Sequence, residues 1–175
     1  MSNFNRIYKS ILTEGRIPSI FKKATPEDVA ERKVQYGKVR LQEFLERKDV
    51  RRNEDGSYDV DGNVDFSAFA SLTRLPVRFR NVGGDFYCNR TPITSLEGAP
   101  TTVGGAFWCL STRITSLEGS PTTVGGSFLC YNTNITSLDG APTMVGGNFW
   151  CHSCGRKFTV AEVRNYCKVK GAIHV

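Results

Sequence analysis

One 21-residue phrase recurs through the middle of the chain. Residues 82–102 read VGGDFYCNRTPITSLEGAPTT, residues 103–123 VGGAFWCLSTRITSLEGSPTT and residues 124–144 VGGSFLCYNTNITSLDGAPTM. Residues 145–154 open a fourth copy with VGGNFWCHSC. Thirteen of the 21 columns are identical in the three full copies. A weaker copy precedes them, with GNVDF at 62–66 set against VGGDF and Leu72–Pro76 against ITSLEGAP. One such unit cannot bury its own apolar face, whereas stacked units bury Val, Phe, Cys, Ile and Leu in continuous columns. The period suits one strand per coil, the Phe-x-Cys segment, and one tight return at Leu-Glu/Asp-Gly-Ala/Ser-Pro. The expected fold is mainly β, a solenoid of period 21.

Composition narrows the class. The chain has 175 residues, 39% hydrophobic, with a formal net charge of +6. No apolar run approaches the ~20 residues that span a bilayer, and the N-terminus lacks the apolar core of a secretory signal. Residues 1–56 carry 13 Lys/Arg and 9 Asp/Glu, residues 81–150 two and four, and residues 151–175 five and one. The basic charge therefore sits at the two ends and the repeat body is mildly acidic, which argues against nucleic acid as the partner. The chain has two His, and no acid–base or nucleophile set can be assembled around them. The chain reads as a non-enzyme without a cofactor.

The columns resemble the leucine-rich repeat. Phe107 stands at its second Leu, Cys109 at its third, Thr112 at its Asn/Cys position and Ile114 at its last Leu. Gly104 departs from the first Leu, and Thr91, Thr112 and Thr133 depart from the Asn ladder. The resemblance, over residues 60–154, implies a leucine-rich-repeat-like solenoid. The phrase SLEGAPTTVGG with its following Phe-x-Cys is similar to a repeat family of uncharacterised proteins in large tailed bacteriophages. So are the lead-in Asn53–Asp65 and the tail Lys157–Arg164. That resemblance implies a phage origin, and with it the cytoplasm of the infected bacterium or the virion as location. It implies no activity.

Alternation sends Tyr87, Trp108, Leu129 and Trp150 to the side opposite Phe86, Phe107, Phe128 and Phe149. Asn89, Leu110, Tyr131 and His152 lie beside them. An aromatic ladder on an open sheet is a candidate partner-binding surface for a host or phage protein. The competing reading is that the N-terminal arm covers it. Gly-Gly pairs at every coil read as backbone bends and not as a phosphate cradle, because no helix follows. Cys88, Cys109, Cys130 and Cys151 form an internal column of small apolar residues. Cys151-x-x-Cys154 looks like half a zinc knuckle, with Cys167 and His174 able to complete four ligands and stabilise a nucleic-acid binder. A second C-x-x-C is missing, and both cysteines are accounted for without metal. Glu97, Glu118 and Asp139 read as turn residues that cap backbone N–H groups.

The ends complete the plan. Phe4, Ile7, Tyr8, Ile11 and Leu12 form one amphipathic stripe. Leu12-Thr13-Glu14 is similar to the cleavage motif of N-terminal targeting peptides on head proteins of T-even-like phages. This implies processing between Glu14 and Gly15 and packaging as an internal head protein, the alternative to a free binding module. The arm covers 1–24. Thr25-Pro26 starts a helix expected over 25–50, running to about Asp49, with Val34, Leu41, Phe44 and Leu45 docking it. Residues 51–81 form the N-terminal cap and degenerate first repeat, 82–154 the repeats, and 155–175 the C-terminal cap. In that cap Thr159 and Glu162 bracket a short helix, and Ile173-His-Val forms a last strand. Oligomeric state is not encoded in these patterns.

Overall fold

The computed structural model describes Glu31 and residues 39–175. The chain divides into two compact units, Met1–Tyr36 and Gly37–Val175. The amphipathic stripe, the Leu12–Gly15 motif, the Thr25 cap and Val34 lie outside the described residues. The second unit is the expected mainly β solenoid, and it carries two strands per coil where the sequence reading placed one.

The Thr-Val pair ahead of each Gly-Gly is the additional strand. It builds a first sheet from β1 (Val50–Arg52), β2 (Tyr58–Val60), β4 (Phe79–Val82), β6 (Thr102–Val103), β8 (Thr123–Val124), β10 (Met144–Val145) and β12 (Lys168–Val169). The Phe-x pair builds a second sheet from β3 (Val64–Asp65), β5 (Phe86–Tyr87), β7 (Phe107–Trp108), β9 (Phe128–Leu129), β11 (Phe149–Trp150) and β13 (Ile173–His174). Coil-to-coil pairing is parallel and in register, Phe86 beside Phe107 beside Phe128 beside Phe149. Identical columns 21 residues apart are therefore stacked at the ~4.8 Å strand spacing.

The core is what the columns promise. Val103, Phe107, Cys109, Ile114 and Leu117, with their equivalents in the coils on either side, are buried between the sheets. The Phe column stacks nearly face to face, with centroids 5.3 Å apart for Phe86–Phe107 and 5.6 Å for Phe107–Phe128. In the four repeats the corner after the second sheet uses a left-handed residue, with φ of 59° at Arg90, 54° at Ser111, 55° at Asn132 and 54° at Ser153. The following Thr closes that corner: Thr91, Thr112 and Thr133 donate to the carbonyls of Cys88, Cys109 and Cys130 at 2.5, 2.7 and 2.7 Å. Thr thus closes each of these corners with a bond inside its own coil.

Glycine is required in the coils for two different reasons. A Cβ on Gly104 would run into the carbonyl oxygen of Gly83 in the preceding coil. Gly119 turns the opposite corner at φ 82°, where a side chain is strained. The turn N–H groups are capped by serine and not by the acidic residues. Ser95, Ser116 and Ser137 hydroxyls accept from the amides of Glu97, Glu118 and Asp139.

The first coil differs in register from its sequence alignment. Val60 pairs with Val82 and Val64 with Phe86. Val64, not Phe66, therefore takes the Phe position, and Phe66 takes the Cys position, its amide donating to Tyr87 as Cys88 donates to Trp108. This coil is one residue longer than the repeat, and the strand pairing sets the register where the short sequence match does not.

The expected N-terminal helix ends early. Residues 39–45 are helical, and Val50 already pairs with Val60 in an antiparallel β1–β2 ladder, so residues 46–49 must turn. Leu41 and Phe44 pack against the core, with Phe44 6.0 Å from Phe66 and 6.1 Å from Phe79. At the other end Thr159 and Glu162 form the expected capping box on the helix Val160–Tyr166, with Val163 buried. The chain then returns as β12 and β13 to complete a sixth coil.

Candidate functional site

The two sheets present different outer faces. Along the first sheet the outward positions are Asn81, Thr102, Thr123, Met144 and Lys168, in register. That face is polar, with Met144 the exception. Along the second sheet the equivalent ladder is Asp65, Tyr87, Trp108, Leu129, Trp150 and His174. Backbone bonds from Arg90 to Leu110, Ser111 to Tyr131 and Asn132 to His152 hold a second column, Asn89, Leu110, Tyr131 and His152, beside it. The structure therefore brings together all seven aromatic, leucine and histidine positions that the repeat pattern singled out.

Their exposure is graded. Tyr87, Trp108, Trp150, Tyr131 and His152 are half-buried, while Leu129 at 8% and Leu110 at 5% are nearly covered. Leu129 stands between Trp108 and Trp150 in the ladder. The rings stack along the solenoid axis. Tyr87 and Trp108 have centroids 5.6 Å apart and planes 27° apart, Tyr131 and His152 4.6 Å and 16°, Trp150 and His174 3.5 Å and 8°. Rings that stack on each other turn their edges outward.

Polar groups frame the ladder. The Tyr87 hydroxyl donates to Asp85 at 2.7 Å, and this bond to a carboxylate raises the tyrosine pKa above its usual value. Trp108 Nε1 and Asn89 Oδ1 are buried and find no hydrogen-bond partner among the described residues. A donor and an acceptor on neighbouring coils of one face are thus left open, each at a cost of about 1–3 kcal/mol.

The sequence puts His174 in a last strand and offers it as a ligand of the half zinc knuckle. The structure places it at the end of the ladder against Trp150. Aligning Ile173-His-Val with Phe149-Trp-Cys would have found it.

The cysteines fall into two kinds. Cys88, Cys109, Cys130, Cys151 and Cys167 are buried. Desolvation pushes all five thiols up, Cys151 to about 12 and Cys167 to about 11. Cys154 is half-buried and occupies the corner position that is Thr in the other coils. Hydrogen bonding with the Cys130 side chain and with Thr133 stabilises its thiolate, against desolvation by burial, which favours the thiol. The balance lowers it to about 7. Cys151, Cys154, Cys167 and His174 are not gathered into a ligand set: no group of three or more His, Cys, Asp or Glu is placed to hold a metal ion among the described residues.

The N-terminal end carries a charge network. Asp59, 13% exposed at its side chain, binds Arg80 at 2.5 Å, and Asp55 binds Arg78 at 2.8 Å. These pairs tie the strand edge together. The chain matches no family model, no curated protein and no solved structure.

Proposed function

We propose that this chain is a non-enzymatic binding module of a bacteriophage that docks a host or phage protein on the outer face of the second sheet. The observation that carries the reading is the contrast between the faces. One outer face is polar, and the other is a continuous ladder of Tyr87, Trp108, Leu129, Trp150 and His174 with Tyr131 and His152 beside it. Trp and Tyr in such a cluster are the residues that dominate protein interfaces, each commonly worth about 2 kcal/mol or more when truncated. The phage assignment rests on the similarity of the repeat phrase. It places the protein in the infected bacterium, in keeping with the lack of a described helix long and apolar enough to cross a membrane.

Affinity capture from infected cells tests the proposal. The variant carrying Trp108→Ala and Trp150→Ala is expected to lose the captured partner while its circular dichroism spectrum and unfolding midpoint show a folded solenoid. Undiminished capture by the folded double variant overturns the proposal.

A further inference from the structure

The two ends of the solenoid are finished differently. At the start β1 lies antiparallel on β2, Leu41 and Phe44 pack against the core, and the first members of the inward columns, Val60, Val64 and Phe66, are buried. At the other end the columns close with Val169, Ile173 and Val175. These three are half-buried, whereas Val145, Phe149 and Cys151 one coil earlier are buried.

The backbone ladder stops at the same place. In each earlier coil the carbonyl of the inward Val accepts from an amide of the coil that follows. Val60 accepts from Gly83, Val82 from Gly104, Val103 from Gly125, Val124 from Gly146 and Val145 from Lys170. Val169 is the next in that series, and no further strand pairs with β12 among the described residues. An unpaired edge is a template for one more strand.

Charge selects the strand. Lys168 and Lys170 flank Val169 and are exposed, as is Arg164. None of the three is in an ion pair among the described residues. An open cleft of about 510 Å³, lined by residues 164–169, lies against this edge. Two copies meeting at their β12 edges set lysine against lysine, a device that keeps an edge from pairing with itself. Head-to-tail stacking is closed off as well, because the opposite end is capped by β1, Leu41 and Phe44.

We propose that the β12 edge takes an extended acidic segment of another protein as an added strand of the first sheet. Alternation sets its pattern. The residue beside Val169 points inward over that side chain and is apolar. Its two neighbours point outward beside Lys168 and Lys170 and are Asp or Glu, paired across the strands with the lysines. The recognised sequence is therefore acidic–apolar–acidic. The β13 edge is less suited, because its outward residue His174 is stacked on Trp150 and residues 171–175 hold no Lys or Arg. The site is separate from the aromatic ladder and does not depend on it.

The test uses the intact protein and a fluorescein-labelled peptide of alternating Glu and Val. Fluorescence anisotropy is expected to show binding, and hydrogen exchange at the Val169 amide is expected to slow in the complex. A peptide methylated on its backbone nitrogens keeps the charge but cannot pair as a strand, and it is expected to bind at least about tenfold more weakly. The Lys168→Glu, Lys170→Glu variant is expected to lose the Glu–Val peptide by a similar factor and to bind a Lys–Val peptide instead, which reports an intact edge. The Trp108→Ala, Trp150→Ala variant is expected to bind the Glu–Val peptide as the wild type does. Failure of the wild type to bind, equal binding of the methylated peptide or an unchanged affinity in K168E/K170E overturns the proposal. So does loss of binding in the tryptophan variant, which puts the peptide on the aromatic face, or a dimer of the free protein that already protects the Val169 amide.

Discussion

Trp150 lies flat against His174, ring centroids 3.5 Å apart and planes 8° apart, and His152 meets the same indole edge-on at 6.1 Å and 73°. Both histidines of the chain thus pack on one tryptophan at the C-terminal end of the aromatic face. Replacing His174 by Ala uncovers one side of that indole. In a Trp108→Phe background the emission of Trp150 is expected to shift to longer wavelength, and an unchanged spectrum would deny that the stack exists in solution.

The Phe column is the main apolar store of the fold. Phe107 is fully buried and stacked between Phe86 and Phe128. Phe107→Ala is expected to cost about 3–5 kcal/mol, read as a fall in the urea midpoint at unchanged slope. A loss below 1 kcal/mol would mean that the coils do not stack in this register.

Glycine at the start of each second-sheet approach is a contact requirement. A Cβ at Gly104 collides with the Gly83 carbonyl oxygen, backbone that cannot step aside. Gly104→Ala is expected to destabilise by about 1–3 kcal/mol, while Ser111→Gly, at a left-handed corner, is expected to be neutral or stabilising. Equal losses at both sites would contradict the assignment of two different roles.

Acid should loosen the N-terminal edge first. The Arg80 guanidinium bonded to Asp59 holds that carboxyl below its usual value of 3.8, with Asn53 and Asn81 adding to it against desolvation. A carboxyl depressed in the folded state stabilises above the unfolded value and loses that contribution as pH falls through the folded one. The thermal midpoint is therefore expected to stay level near neutral pH and to drop as pH falls below 3.8. Asp59→Asn is expected to lower the midpoint at neutral pH and to flatten the acid slope. An unaltered slope would remove Asp59 from the account.

Alkylation should single out one thiol. Cys154, lowered to about 7, is expected to react with iodoacetamide ahead of the five buried cysteines, with a rate that rises through neutral pH. Labelling of several cysteines at one rate would show that the column is not closed to solvent.

The repeat made the solenoid and its core legible, because each buried residue recurs at fixed spacing and identical columns can only be satisfied by stacking. The Thr-Val strand was not, since two residues carry no alternation to read and their pairing comes from coils 21 residues away. The first-coil register was misread for a related reason: Val64 and Phe66 are both apolar, and only the Val60–Val82 ladder decides which one stands beside Phe86. The aromatic face followed from alternation alone. The orphaned Trp108 Nε1 and Asn89 Oδ1, and the contact of Cys154 with the Cys130 carbonyl, arise from groups on different coils and have no signature along the chain.

Thr102 and Trp108 occupy one coil on opposite outer faces, so they offer the sharpest comparison of all. A photo-reactive aromatic residue installed at position 108 is expected to trap a partner protein covalently in infected cells, while the same residue at position 102 traps none. Equal trapping at the two positions, or trapping at 102 alone, would contradict the claim that the aromatic face is where this protein binds.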